Sequence, residues 1–247
     1  MGRVLPILFN TDMVKAILDG KKTVTRRAMK PQPLFYTGRK YIFDDNECPP
    51  KWQCCDNIIE TYKYQPGDIL YVRETWKVHR KYNSGLLGFD VEYMAGTKVT
   101  PCIFQNIDRY LDIFQKYGEK KGWNTPYSMP KEATRIWLKV TDVRIERLHE
   151  ITEGQAKKEG IETYTKDEKL YKYAVNINWW EEYHGKHRNN FTGNWWQDMP
   201  KTAKEAYSYF WDSTVKKSDL AKYGWEANPW VWVIEFERCD KPEGWCV

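Results

Sequence analysis

The sequence lacks any apolar run long enough to cross a bilayer. A spanning helix needs about 18 or more consecutive apolar residues. The N-terminal run Val4-Leu5-Pro6-Ile7-Leu8-Phe9 is far shorter, and mean hydropathy is −0.77. That run is also too short for a secretory h-region and has no small-residue cleavage site after it, so a cytoplasmic location with no membrane partner is expected. Cysteine is sparse, six among 247 residues. In a reducing compartment these read as thiols rather than a disulfide frame. Cys48, Cys54 and Cys55 cluster, and Cys239 and Cys246 lie near the end, but none has the C-x2-C spacing of zinc sites. His184 and His187 are three apart without an H-E-x-x-H pattern around them. No metal or other cofactor is therefore expected. There is no internal repeat and no low-complexity tract. Neither charge sign dominates: 39 Lys and Arg face 34 Asp and Glu, a formal charge of +5. This permits an anionic partner without requiring one. Disorder is excluded by what is abundant, since 16% of the residues are aromatic and thirteen are Trp.

Patterned segments alternate with long polar, aromatic-rich ones. Val4 to Phe9 reads as a buried strand. Asn10, Thr11 and Asp12 offer N-caps to a helix carrying Met13, Val14, Ile17 and Leu18, and Gly20 stands where a helix would end. Thr23 to Arg27 follows as a strand. Pro66-Gly67-Asp68 signals a turn before a strand from Ile69 continuing to Trp76. Ile136, Leu138 and Val140 alternate with Trp137 and Lys139. Thr152 and Gln155 have capping-box spacing at the start of a short helix that Gly160 ends. A helix around Thr202 to Trp211 precedes a strand from Trp230 to Phe236. Strands outnumber helices without regular βαβ alternation. The expected fold is therefore α+β, a small, mostly antiparallel β-barrel with peripheral helices. It forms one domain over residues 1–247 with insertions at about 28–65, 77–133 and 161–200.

Several of these segments resemble a family. Gly20-Lys21-Lys22-Thr23-Val24-Thr25-Arg26-Arg27 is similar to the G-x-K-x-x-E-x-R signature of ASCH domains, in the PUA-like superfamily of small β-barrels. Pro66-Gly67-Asp68, with Leu70 to Trp76 after it, resembles the second strand region of the larger phage- and prophage-associated members. Thr152 to Gly160 is similar to their T-E-x-x-A-x-x-E-G helix, and Trp230 to Phe236 to their terminal strand. The matches cover under half the chain. Position 25 is Thr where the general signature has Glu. The small bacterial ASCH proteins that hydrolyse N4-acetylcytidine also have Thr there. By position, the resemblance implies Lys22, Thr25 and Glu159 as catalytic residues of a metal-independent amidohydrolase.

The chemistry can be examined separately. Amide hydrolysis needs a nucleophile, a proton acceptor and a stabiliser for the oxyanion. A neutral lysine can activate a hydroxyl, as in Ser–Lys hydrolases. Burial and the neighbouring Lys21, Arg26 and Arg27 would favour a neutral Lys22. On a strand, Thr25 and Arg27 share a face, so Arg27 could meet an oxyanion. Lys22 precedes the strand and must reach Thr25 by its long stem. Glu159 falls in the last turn of its helix, where the macrodipole disfavours a carboxylate by roughly 0.3–1 kcal/mol. It could hold Lys22 or shuttle a proton to the leaving amine. Arg26 and Glu74 are further candidates for substrate binding.

Each residue also has a plainer reading. Lys and Arg after a helix satisfy its last carbonyls, Thr is a common strand residue, and Glu74 can pair with Arg73 or a cation on another strand. A binding module is the rival function. Trp179, Trp180, Tyr183, His184, Lys186, His187, Arg188, Trp195 and Trp196 interleave aromatic and basic groups, as surfaces for single-stranded RNA do. They can equally pack the segment inward or form a lid. A third reading is a phage accessory protein whose residues 161–200 bind another protein.

Overall fold

The structure is a computed structural model that describes residues 2–37, 40–44, 58–82 and 85–243. Cys48, Cys54, Cys55 and Cys246 lie outside the described residues. In chain order the elements are β1 (Val4–Leu8), α1 (Thr11–Leu18), β2 (Val24–Ala28), β3 (Phe35–Tyr36), β4 (Tyr41–Ile42), β5 (Ile69–Arg73), β6 (Trp76–Lys81), β7 (Gly88–Tyr93), β8 (Val99–Ile103), α2 (Ile107–Tyr117), β9 (Trp137–Arg147), α3 (Glu153–Lys158), β10 (Glu162–Thr165), β11 (Tyr171–Ala174), α4 (Ile177–Lys186), α5 (Trp195–Asp198), α6 (Ala203–Thr214), α7 (Leu220–Tyr223) and β12 (Trp230–Cys239). The fold is α+β with mixed sheets. Among the described residues no sheet closes into a barrel, and no helix is long and apolar enough to cross a membrane. The chain divides into two compact units, residues 1–19, 66–141 and 236–247, and residues 20–65 and 142–235.

In the first unit β1 lies parallel to β5, with Val4 opposite Ile69 and Leu8 opposite Arg73. Antiparallel pairing sets Leu70 of β5 opposite Leu138 of β9. The Asn10 side chain accepts from the Met13 N–H at 2.9 Å and starts α1, whose Met13, Val14, Ala16 and Ile17 are buried. The expected continuous strand from Ile69 to Trp76 is broken. Beyond Arg73 the chain turns, and Trp76 opens a second, antiparallel sheet, β6-β7-β8. Polar side chains fix the break. The Arg73 guanidinium donates to the carbonyls of Met129 and Tyr127. Glu74 takes both forks of Arg135 at 2.8 Å each. Trp76, Phe89, Val91, Tyr93, Phe104 and Ile113 form a core of their own under α2. Burying each such side chain contributes roughly 1.5–3 kcal/mol.

In the second unit β2 pairs antiparallel with β12, setting Thr25 opposite Ile234, Arg26 opposite Val233 and Arg27 opposite Trp232. The Thr152–Gln155 capping box starts α3, and Gly160, at φ +104, ends it. That left-handed geometry strains any residue with a Cβ. The Glu153 carboxylate accepts the N–H groups of Ala203 at 2.7 Å and Lys204 at 3.1 Å. It neutralises the start of α6 and fixes α6 against α3.

Candidate functional site

The pairing of β2 with β12 sorts side chains by face. Opposed residues on antiparallel strands share a face, and successive residues alternate. Val24, Arg26, Val233 and Glu235 therefore occupy one face, and Thr25, Arg27, Trp232 and Ile234 the other.

On the Arg26 face a buried ionic cluster forms around Glu159, which caps the C-terminus of α3. Lys22 lies just before β2, and its Nζ donates to Glu159 Oε2 at 2.6 Å, to the Glu159 carbonyl at 3.0 Å and to the Val24 carbonyl at 2.8 Å. Arg26 Nη1 donates to Glu159 Oε1 at 3.1 Å. Tyr207 Oη donates to the same oxygen at 3.3 Å. The side chains of Lys22 and Arg26 are 0% exposed and that of Glu159 is 2% exposed. From Arg26 the chain of charges continues outward: Arg26 Nη2 donates to Glu146 at 3.0 Å. Glu146 accepts from Arg144 at 2.6 Å, and Arg144 also holds Asp142 and Glu235, each at 2.7 Å.

Both readings of Lys22 made from the sequence meet in this geometry. The ammonium satisfies a helix-terminal carbonyl, and it also holds the Glu159 carboxylate. Burial pushes its pKa below the ordinary lysine value. Glu159 pulls it upward, while Arg27 and Arg26 push it further down. Burial also drives the Tyr207 hydroxyl well above the ordinary tyrosine value, with Glu159 acting in the same direction, so Tyr207 stays a protonated donor.

Thr25 is 1% exposed, and its Oγ1 has no hydrogen-bond partner among the described residues. The structure thus brings Lys22 and Glu159 together but forms no Lys22–Thr25 hydrogen bond. The amine nevertheless reaches the Val24 carbonyl, which belongs to the peptide unit joined to Thr25. Beside Thr25, the half-buried Arg27 shares a face with Trp232, on which the Tyr62 ring stacks at 4.0 Å and 11°. Arg26, a candidate substrate ligand, is committed instead to Glu159 and Glu146. Glu74 belongs to the other unit and pairs with Arg135, whose guanidinium lies 4.1 Å from the centre of the Tyr93 ring. Burial raises the Glu74 carboxyl against the downward pull of Arg135.

Tyr207 and Glu146 were not singled out by sequence reasoning. A tyrosine on an amphipathic helix and a glutamate on a strand carry no motif. Only the tertiary placement of α6 and β9 aims them at the cluster. In the 161–200 segment, Tyr183 stacks on both Trp179 and Trp180, whose own rings are tilted at 40°. Trp180 is fully buried and donates from Nε1 to the Trp195 carbonyl at 2.8 Å. His184 pairs with Asp198 at 2.9 Å. Among the described residues no group of three His, Cys, Asp or Glu side chains is placed to hold a metal ion. No protein-family model matches the chain, and neither a curated protein nor a solved structure matches it.

Proposed function

We propose that the chain is an ASCH-type member of the PUA-like superfamily and a metal-independent amidohydrolase. Its substrate is an N-acylated pyrimidine nucleoside such as N4-acetylcytidine. The observation that carries this reading is the buried pair of Lys22 with Glu159. It lies at the peptide unit adjoining Thr25, whose buried hydroxyl has no hydrogen-bond partner among the described residues. Two of the three residues that the resemblance singles out, Lys22 and Glu159, 137 positions apart, are in contact.

In this reading Lys22 gives up its proton along its 2.6 Å hydrogen bond to Glu159, because burial disfavours the charged amine. Lys22 lies with the cluster on the Arg26 face and Thr25 on the other, so the lysine stem swings past the start of the strand to exchange the Val24 carbonyl for Thr25 Oγ1. The neutral amine accepts the threonine proton as Oγ1 bonds to the acyl carbon, and Arg27 faces the oxyanion. The C–N bond then breaks, and the exocyclic amine leaves with the proton held by Lys22. Water, deprotonated by the same lysine, attacks the acyl-threonine; the ester C–O bond breaks, the acid leaves, and Lys22 returns the proton to Thr25 Oγ1. Tyr207 and Arg26 hold the carboxylate of Glu159 in place throughout.

The test is incubation with N4-acetylcytidine and chromatography for cytidine. Turnover is expected from the native chain and from neither Thr25→Ala nor Lys22→Met. Absence of turnover, or turnover undiminished in Thr25→Ala, removes the assignment.

A further inference from the structure

The face of β2 that carries Thr25 also carries a ring-binding platform. Arg27 and Trp232 are directly opposed in the β2–β12 ladder, and Thr25 is the diagonal neighbour of Trp232, about 7–8 Å away by sheet geometry. The Trp232 indole is only 2% exposed. Against it lies the half-buried ring of Tyr62, nearly parallel, with centroids 4.0 Å apart and planes at 11°. Tyr62 also lies close enough to Arg27 for the guanidinium to oppose the rise in its pKa. Tyr62 is delivered by a short turn, residues 58–61, that belongs to neither strand.

A nucleobase bound to an indole adopts this same arrangement, one planar ring face-on upon another, because every base has a π-face. The six-membered phenol ring has the outline of a pyrimidine. We propose that Trp232 is the platform on which the substrate's pyrimidine ring stacks, and that Tyr62 occupies that place until the substrate displaces it. The exocyclic amide of a ring in this position lies on the strand face that presents Thr25 and Arg27. The site therefore selects planar N-acyl heterocycles over aliphatic amides. The inference rests on the function proposed above and assigns the residues that bind the ring of its substrate.

Binding and turnover test it separately. Cytidine has no acyl group to lose, so its affinity is measured by calorimetry on the full chain, on Tyr62→Ala and on Trp232→Phe. Hydrolysis of N4-acetylcytidine is followed in parallel. Tyr62→Ala removes the competing ring and should bind cytidine about tenfold more tightly. Trp232→Phe keeps an aromatic ring in the core but shrinks the platform, and should bind about tenfold more weakly. Far-ultraviolet circular dichroism verifies that both variants are folded. Unchanged or weaker binding in Tyr62→Ala overturns the displacement, and unchanged binding in Trp232→Phe overturns the platform. Hydrolysis with a KM unaltered by either substitution would leave the enzyme standing and remove the stack. The affinity changes without hydrolysis would keep the stack and remove the enzyme.

Discussion

Replacing Glu159 by Gln tests the buried cluster with almost no change in volume. The carboxylate accepts from Lys22 at 2.6 Å, Arg26 at 3.1 Å and Tyr207 at 3.3 Å. A glutamine keeps one acceptor oxygen but aims an NH2 group at a cation. Breaking one side of a buried ion pair costs about 3–5 kcal/mol, because an uncompensated charge is left behind. Screening by solvent does not reduce this, since the Lys22 and Glu159 side chains are 0% and 2% exposed. Arg26 keeps Glu146 at 3.0 Å, so Lys22 bears most of the loss. For a chain of this size each kcal/mol moves Tm by roughly 2–4 °C, giving a fall of about 6–20 °C. The penalty depends on pH. Burial already holds Lys22 below its ordinary value while Glu159 pulls it up, so the substitution lowers it further. Between the folded value and the unfolded value of about 10.4 the unfolded chain binds more protons, and stability rises with pH. The variant enters that window earlier, so its deficit narrows as pH rises towards the unfolded value and is larger at pH 6 than at pH 10. Urea unfolding followed by circular dichroism at both pH values measures it. A deficit below about 1 kcal/mol, or one equal at both pH values, would refute the reasoning. The double variant Lys22→Met with Glu159→Leu removes both charges and should recover most of the loss.

Three further outcomes are expected. Thr25→Val deletes a buried hydroxyl that has no partner among the described residues. It should leave stability unchanged or raise it by about 1 kcal/mol and, under the proposed function, abolish hydrolysis; a clear loss of stability in urea would mean the hydroxyl is bonded. Arg135→Met strands Glu74, whose carboxyl burial already raises. It should destabilise by about 3 kcal/mol at pH 7. The deficit should shrink as acid protonates Glu74, because a raised folded pKa favours folding at the lower pH; a deficit flat from pH 7 to pH 4 would contradict this. Burial would raise the Asp198 carboxyl, but hydrogen bonds from Thr192, His184 and Gly193 outweigh it and bring it down to about 2. The stability it confers is present above the unfolded value of about 3.9 and is lost as pH falls towards 2. Asp198→Asn should therefore flatten acid unfolding in that interval, and an unchanged slope there would oppose the assignment.

Local signals made the elements of the site legible, whereas its contacts depended on tertiary structure. The Asn10 cap, the Thr152–Gln155 box, Gly160 and the Trp230 run each write their element into a few adjacent residues. The break after Arg73 did not show, because Ile69 to Trp76 has unbroken strand propensity and the interruption depends on Met129, Tyr127 and Arg135, more than fifty residues downstream. The second sheet was hidden for a related reason. Polar Lys77, Arg80 and Asp90 interrupt its strands, and a register shift between Val78 and Arg80 blurs the alternation. Within the site, the meeting of Lys22 with Glu159 followed from the resemblance. The commitment of Arg26 to two carboxylates did not, since adjacent arginines look alike until a strand sends them to opposite faces. Tyr207 could be read as a helix residue, but not as a donor to a carboxylate 48 positions earlier.

The second unit is assembled from two separated stretches of chain, residues 20–65 and 142–235. During synthesis Lys22 leaves the ribosome long before its carboxylate does. At about 5–20 residues per second, the 137 positions from residue 23 to residue 159 take roughly 7–27 seconds to translate. Throughout that interval the ammonium must stay hydrated, and β2 has neither β12 to pair with nor α3 to lean on. A nascent chain arrested before residue 159 should thus leave residues 22–28 open to proteases, and the buried cluster can close only once residue 159 has been added.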